Sequence, residues 1–392
     1  MNASPTERPV YLDNQATTRC DPRVLETMLP WFSEEYGNPH SLDHAMGLRA
    51  EAAIEKARGQ VAAMIGAEPR EIVFTSGATE SSNIAIKGVA RFARRMNTPR
   101  RRIISSAIEH KCVLQCVADA AEFGLEPVIL PVGRDGLVQP NELAEALREP
   151  TLLVSIMAVN NEIGVIQDVR RLAALSRAAG ALFHTDAPQA IGKIGLDAEA
   201  AGIDLLSLSG HKIYGPKGVG ALYVRRRPRV RLDPIFSGGG QERGLRPGTL
   251  PTPLAVGLGE AARIAAAEMQ TEATRIGGLA ARLLEKLRRE IPGVRLNGSA
   301  EARIPGNLSV TFPEASAASL MARAPGLCVS VGSACTSAEV EPSHVLTAIG
   351  LTREEAARTL RVGIGRFNSA ADIDYAAACL GAAHAASLPA QV

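Results

Sequence analysis

Between about residue 70 and residue 225 the chain alternates short apolar runs with longer segments of helical spacing. The runs are Glu71 to Thr75, Arg102 to Ser106, Pro127 to Pro131, Leu152 to Val159, Ala181 to Thr185, Ile203 to Ser207 and Gly220 to Val224. Their apolarity is continuous rather than alternating, which marks strands covered on both faces. Among the intervening segments, Asp168 to Ala179 reads as a helix, with an acid at its start and Gly180 just past its end. This order predicts a βαβ series and hence a mostly parallel sheet, an α/β fold class. The pattern breaks around Gly238 to Gly244, and a helix-forming stretch follows from about Leu254 to Glu290, interrupted at Gly277 and Gly278. That stretch is expected to bridge two domains. The strand-like Leu308 to Phe312 and the helical Ala315 to Ala322 predict a smaller α+β unit, joined by the segment before Asn14. The expected division is a large domain over 15–262 and a small one over 1–14 plus 263–392.

Composition narrows the range of partners. With 392 residues, 46% apolar content and a net charge of +2, the chain has no field that argues for nucleic acid or an anionic membrane. The basic run Arg225, Arg226, Arg227, Arg229 and Arg231 reads as a solvated loop. Met1 to Arg8 lacks the apolar core of a secretory signal, and no segment reaches roughly 18 consecutive apolar residues, so a cytoplasmic location is expected. The cysteines form neither a disulfide framework nor a metal-binding pair. Cys112 and Cys116, spaced i, i+4 beside Val113, Leu114 and Val117, read as buried small apolar residues without a functional role.

Arginine is the default cation, since only seven of the 43 basic residues are lysines. Lys212 therefore stands out, closing Ser209-Gly210-His211-Lys212 at the end of an apolar run. A lysine at a strand end among small and hydroxylated residues suits an amine that must deprotonate and attack a carbonyl, which arginine cannot do. Thr75 to Asn83 follows a strand and opens a helix, so its N–H groups and the Thr79 hydroxyl suit a phosphate. Taken alone, the same stretch serves equally well as an N-terminal cap. Asp186, in His184 to Gln189, ends another strand of the series, and ligands of open α/β sheets sit at such carboxyl ends. A carboxylate, an amine and a phosphate cradle meeting there are the parts pyridoxal phosphate requires. A carboxylate about 4 Å from the ring nitrogen contributes around 4 kcal/mol toward keeping it protonated.

Ten segments carry a more specific signal: Tyr11 to Thr18, Gly37 to Pro39, Thr75 to Glu80, Glu109 to Lys111, Val159 to Gly164, Asp186 to Gln189, Ser209 to Lys212, Arg246 to Thr249, Gly332 to Ser337 and Leu360-Arg361. In order, and almost end to end, they resemble the cysteine desulfurases of the NifS/IscS kind. That family belongs to the fold-type I, class V aminotransferase-like pyridoxal phosphate enzymes. The resemblance implies the aspartate aminotransferase-like fold of pyridoxal-phosphate-dependent transferases. It also implies that Lys212 carries the cofactor, Asp186 faces the ring nitrogen, and Gln189 with Asn161 addresses the phenolic oxygen. His110 would stack on the ring and act as a general acid or base. Ala78, Thr79, Ser209 and His211 would hold the phosphate, with Thr249 reaching over from the neighbouring subunit of a homodimer. Arg361, with Asn161, would bind the substrate carboxylate, a task for a planar bidentate fork.

Cys335 lies in Val331 to Ala338, a stretch of small and polar residues that reads as a loop. By resemblance it takes sulfur from L-cysteine as a persulfide, releases L-alanine, and delivers the sulfur to an acceptor protein, an iron–sulfur scaffold or a tRNA-thiolation relay. No resident metal is implied, and Cys335 is a candidate transient cluster ligand. Two other readings stay open: a selenocysteine lyase or related lyase in which Cys335 is not the acceptor, and a non-catalytic scaffold in a sulfur-transfer complex. Gln15, His40 and Gly363 depart from the family pattern, where a small residue is usual at the first position and serine is frequent at the last.

Overall fold

Twelve strands organise the computed structural model, which describes residues 9–331 and 342–388. They are β1 (Val10–Tyr11), β2 (Ile72–Thr75), β3 (Arg102–Ser106), β4 (Glu126–Leu130), β5 (Thr151–Ser155), β6 (Leu182–Asp186), β7 (Leu205–Ser209), β8 (Gly220–Val224), β9 (Arg295–Leu296), β10 (Asn307–Thr311), β11 (Leu327–Cys328) and β12 (Thr359–Gly363). Seven of them form one sheet in the order β2-β8-β7-β6-β5-β3-β4. Strands β3 to β7 run parallel, whereas β8 is antiparallel to both of its neighbours. Only Gly210 to Val219 joins β7 to β8, too short a link for a crossover helix, so the chain returns antiparallel. A second reversal at β2 restores its direction to that of β7. The carboxyl ends of β2, β6 and β7 therefore share one edge.

The helices are α1 (Pro22–Met28), α2 (Pro30–Ser33), α3 (Ala45–Met64), α4 (Ala78–Arg95), α5 (Lys111–Asp119), α6 (Pro140–Ala146), α7 (Val169–Ala178) and α8 (Thr252–Glu290), with shorter ones beyond. Alternate residues of each central strand enter different cores, which accounts for the continuous apolar runs. Phe74, Ile104, Val154, Phe183 and Leu206 pack with α3, α7 and the first half of α8. Val73, Ile103, Leu153, Leu205 and Leu222 pack with Ile84 and Val89 of α4 and Val113 and Val117 of α5. Helix α7 is capped as its sequence predicts: the Asp168 side chain accepts from the Arg171 N–H, and Gly180 takes the left-handed conformation.

The expected break at Gly277 and Gly278 does not occur, because α8 runs unbroken for 39 residues. A glycine pair in a helix costs about 1 kcal/mol per residue. The flanking Ile276, Leu279, Ala280 and Leu283 all enter a further apolar core, and this burial outweighs that penalty. That core also holds Leu12, Val310, Phe312, Leu360 and Ile373. The broken pattern around Gly238 to Gly244 has a structural use at the sheet edge. Glu242 Oε2 accepts the Phe74 N–H of β2 at 2.7 Å, and Arg58 grips both Glu242 oxygens at 2.8 Å. An edge N–H that would otherwise be open is thereby closed. The basic run also needs correction at its first member: Arg225 is buried and pairs with Asp204 at 3.4 Å, whereas Arg226, Arg227, Arg229 and Arg231 are exposed. No described helix is long and apolar enough to cross a membrane.

Candidate active site

At the carboxyl edge of the sheet a cavity of about 640 Å³ is lined by Ala78, Thr79, His110, Asn161, Asp186, Gln189, Ser209, His211, Lys212 and Arg361, among others. Residues anticipated from separate strand ends thus meet in one place. Thr249 does not join them and lies exposed outside this cavity. Cys335 falls outside the described residues.

Strand β7 ends at Ser209, and one tight turn from Gly210 to Lys212 aims the lysine into the cavity. Its Nζ donates to the carbonyls of Gln15 and Ala16 at 2.6 and 2.7 Å. Burial, then the Arg361 charge, lowers the amine to about 8, closer to the free base a nucleophile requires. His211, beside it, shares a hydrogen bond with the Thr17 hydroxyl at 3.0 Å, and its carbonyl accepts from Thr18 Oγ1 at 2.9 Å. The segment Gln15 to Thr18 therefore holds the lysine turn, with two backbone acceptors for Lys212 and two hydroxyls for His211.

Asp186 closes β6. It is 5% exposed, and its Oδ1 has no hydrogen-bond partner. Burial pushes this carboxyl up to about 7, with Lys212 opposing. An orphaned carboxylate oxygen on a cavity wall fits a cationic ring nitrogen, which would supply the missing donor. Behind it the buried His184 lies between Ser155 Oγ at 2.8 Å and Ser207 Oγ at 2.9 Å, and burial keeps it neutral, at about 3.

Where β2 passes into α4, Gly77 has φ 155° and ψ 179°, a region that essentially only glycine enters, and α4 has no side-chain cap. The first N–H groups of the helix are left for an anion. The floor of this cradle is tight, since a Cβ on Gly220 would come within 2.7 Å of Gly77 Cα. Arg246 fixes the first turn through Glu80 at 2.8 Å. Burial would push the Glu80 carboxyl up, but its bonds to Arg246 and Ser76 outweigh this and hold it below its usual value.

His110 caps α5, its Nδ1 accepting the Cys112 N–H at 3.2 Å, so the neutral ring carries its proton on Nε2. Burial, then the charge of Lys212, lowers its pKa. Cys112 departs from its expected role. Unlike the buried Cys116, it is half-buried, lines the cavity and places Sγ 3.0 Å from His110 Nδ1. Helical spacing alone cannot see that the first turn of α5 opens onto the site. Burial pushes its thiol far up, so it is a neutral S–H.

Arg361, on β12, pairs with Asp13 at 2.8 Å and donates to the Asn161 carbonyl at 3.1 Å. Asp13 also accepts from Ser330 Oγ at 3.0 Å. Ser343 donates to Glu162 at 2.5 Å, and His344 Nε2 donates to the Glu109 carbonyl at 2.9 Å. These supporting groups escaped the sequence reading. Asp13 and Glu162 lie inside quoted motifs, but nothing local marks Ser343 or His344. Gln15 and Gly363 prove to be one departure rather than two, because a Cβ on Gly363 would fall 1.8 Å from Gln15 Oε1. The third departure, His40, is exposed and does not line the cavity.

A family model described as "Aminotransferase class-V" matches residues 10–376. The chain is 54% identical over 370 residues to "Cysteine desulfurase, mitochondrial" of Drosophila melanogaster, spanning 94% of this chain and 79% of that one. It is 49% identical over 368 residues to "Cysteine desulfurase IscS" of Rickettsia bellii (strain OSU 85-389), spanning 94% and 89%. A solved structure described as "NIFS-LIKE PROTEIN" matches with a TM-score of 0.89 and 38% identity, over 96% of this chain and 99% of that one.

Proposed function

The chain belongs to the class V aminotransferase family, and on that premise we propose that it is a pyridoxal-phosphate-dependent cysteine desulfurase. The observation that carries the reading is the buried, unpartnered Asp186 oxygen in the same cavity as a lysine whose amine is lowered to about 8. The cofactor, when bound, supplies an electron sink for bonds broken at the substrate Cα and Cβ. Lys212 would bind its aldehyde, and its free amine would move the substrate Cα proton. Asp186 holds the ring-nitrogen proton, and Gln189 and Asn161 address the phenolic oxygen. Ala78, Thr79, Ser209 and His211 hold the phosphate, and Arg361 takes the substrate carboxylate. His110, with its proton on Nε2, donates toward the cavity. Cys335 attacks the substrate sulfur and keeps it as a persulfide, with L-alanine as the other product. The convergence of Lys212, Asp186 and His110 on one cavity speaks against a non-catalytic scaffold.

Delivery of the sulfur to an iron–sulfur scaffold or a tRNA-thiolation relay belongs to the same proposal. So does a homodimer in which Thr249 completes the neighbouring site. Its support is the run of exposed apolar side chains between residues 25 and 48, Leu25, Leu29, Phe32, Tyr36, Leu42 and Leu48, and the exposure of Thr249 itself. Two separate apolar cores joined by α8 support a division into two domains, but Ile264 and Ala265 still pack in the first core and Ile276 is the first α8 residue of the second, which favours a boundary between 265 and 276 over 262/263. A cytoplasmic location is also part of the proposal, although the fruit-fly relative's printed name places that protein in mitochondria. The decisive experiment supplies L-cysteine to the cofactor-loaded protein and measures alanine and sulfide. Cys335→Ser is expected to keep the visible cofactor band and lose sulfide release. Continued desulfuration by that variant would move the reading to a lyase.

A further inference from the structure

One half-buried lysine lies next to the site without belonging to it. Lys193 Nζ donates to Gln189 Oε1 at 2.7 Å, while Gln189 Nε2 donates to the Gln15 carbonyl at 2.8 Å. The same Gln15 carbonyl accepts from Lys212 Nζ at 2.6 Å. Lys193 does not line the large cavity; it faces a small neighbouring one with Asn14, Gln15, Tyr214 and Glu272.

The chemistry of this chain is directional. An ammonium has donors only, so its partner on Gln189 must be the amide oxygen. The two ends of a glutamine amide are nearly identical in shape, and partners of one polarity decide which one faces where: here the Lys193 ammonium on the oxygen and the Gln15 carbonyl on the nitrogen. With its oxygen committed to Lys193, Gln189 presents N–H groups on the opposite side, toward Gln15 and the cavity. A phenolic oxygen that carries negative charge needs a donor there. A turned-over amide would offer it a carbonyl instead, replacing attraction with repulsion.

Resting on the cofactor reading above, we infer that Lys193 is a positioning residue that fixes the amide orientation of Gln189, so that its N–H₂ end is the one offered to the cofactor's phenolic oxygen. Lys193 touches neither cofactor nor substrate and acts entirely through Gln189. This predicts an energetic signature that a merely structural lysine would not give: its removal matters only while Gln189 is present.

The test measures binding of pyridoxal phosphate by equilibrium dialysis to apoprotein of the wild type, Lys193→Met, Gln189→Ala and the double variant. Burial, then the Lys212 charge, lowers the Lys193 amine to about 7. The comparison is therefore made near pH 6, about one unit lower, where the ammonium dominates. Lys193→Met is expected to weaken binding about ten-fold, as one lost charge-assisted orientation would. Gln189→Ala should do the same, and the double variant should be no weaker than Gln189→Ala. Wild-type affinity in Lys193→Met, or losses that multiply in the double variant, overturns the inference. If Lys193→Met does not fold by circular dichroism, Gln189→Glu replaces it, keeping a partner for Lys193 while removing the donor. It too should bind about ten-fold more weakly, and wild-type affinity overturns the inference. A wild-type protein that binds no pyridoxal phosphate overturns the proposed function and this inference together, whereas normal wild-type binding with an unaltered Lys193→Met overturns the inference alone.

Discussion

At the edge of β2, Glu242 receives two guanidinium contacts from Arg58 and a backbone N–H, all within 2.8 Å. At the carboxyl end of β6, Asp186 is equally buried, yet its Oδ1 has no partner. Both carboxylates sit in the same sheet layer, and both are withdrawn from water. A buried acid whose bonds are complete ties elements together, whereas a buried acid left incomplete raises the energy of the empty protein and awaits a charge. The contrast separates a residue that secures the fold from one that receives a ligand, and substitution can test it.

Lys212→Ala should have the largest effect, lowering cysteine turnover by about 10⁴-fold or more and abolishing the visible cofactor band. Asp186→Ala should come next, with a loss of roughly 10³-fold in kcat/KM, matching about 4 kcal/mol of charge stabilisation. The comparison sharpens in apoprotein denaturation curves. Glu242→Gln should destabilise by about 1.5–3 kcal/mol, because Arg58 loses its buried partner and keeps only Glu55 and the Ile72 carbonyl, while Asp186→Asn should be neutral or stabilising. Equal losses from the two would erase the distinction.

The pH dependence carries the same contrast. Asp186 is raised from 3.8 to about 7, so the folded apoprotein binds more protons than the unfolded chain in that window and loses stability as pH rises through it. Glu109, raised from 4.5 to about 8 by burial, acts in the same direction, so Asp186→Asn should flatten the slope only in part. Lys212 has the opposite sign: lowered from 10.5 to about 8, it makes stability rise with pH between those values. A smaller effect is expected of Gly363→Ala, about 1–3 kcal/mol from the overlap with Gln15 and with the Asn14 nitrogen at 2.8 Å, to be relieved in part by adding Gln15→Ala. Thermal melts of the two single variants and the double variant would read this coupling.

Much of this was legible in the chain because local chemistry and global fold agreed. Continuous apolar runs gave the doubly covered strands except at β4, an edge strand that is largely exposed; β3 and β8 lie at their expected bounds, and the rarity of lysine singled out Lys212. The same rarity could have pointed to Lys193, but its value lies in one contact, to Gln189, four residues earlier in the turn after β6. What was not legible depended on distance in sequence. The Arg58 to Glu242 clamp spans 184 residues, and the Glu162 to Ser343 bond spans 181. The steric pairing of Gln15 with Gly363 was seen as two isolated oddities, because no local pattern relates the ends of a chain. The uninterrupted α8 was missed for a related reason: glycine preference is local, whereas the core that overrides it is assembled from four distant segments.

That helix has a thermodynamic consequence. At 1.5 Å per residue its 39 residues make a rod of about 58 Å, with Leu258 and Ile264 in one apolar interior and Leu283 and Leu287 in another. Loss of this one helix would uncover both interiors, so the two are expected to melt together, and calorimetry on the intact protein should record one endotherm rather than two.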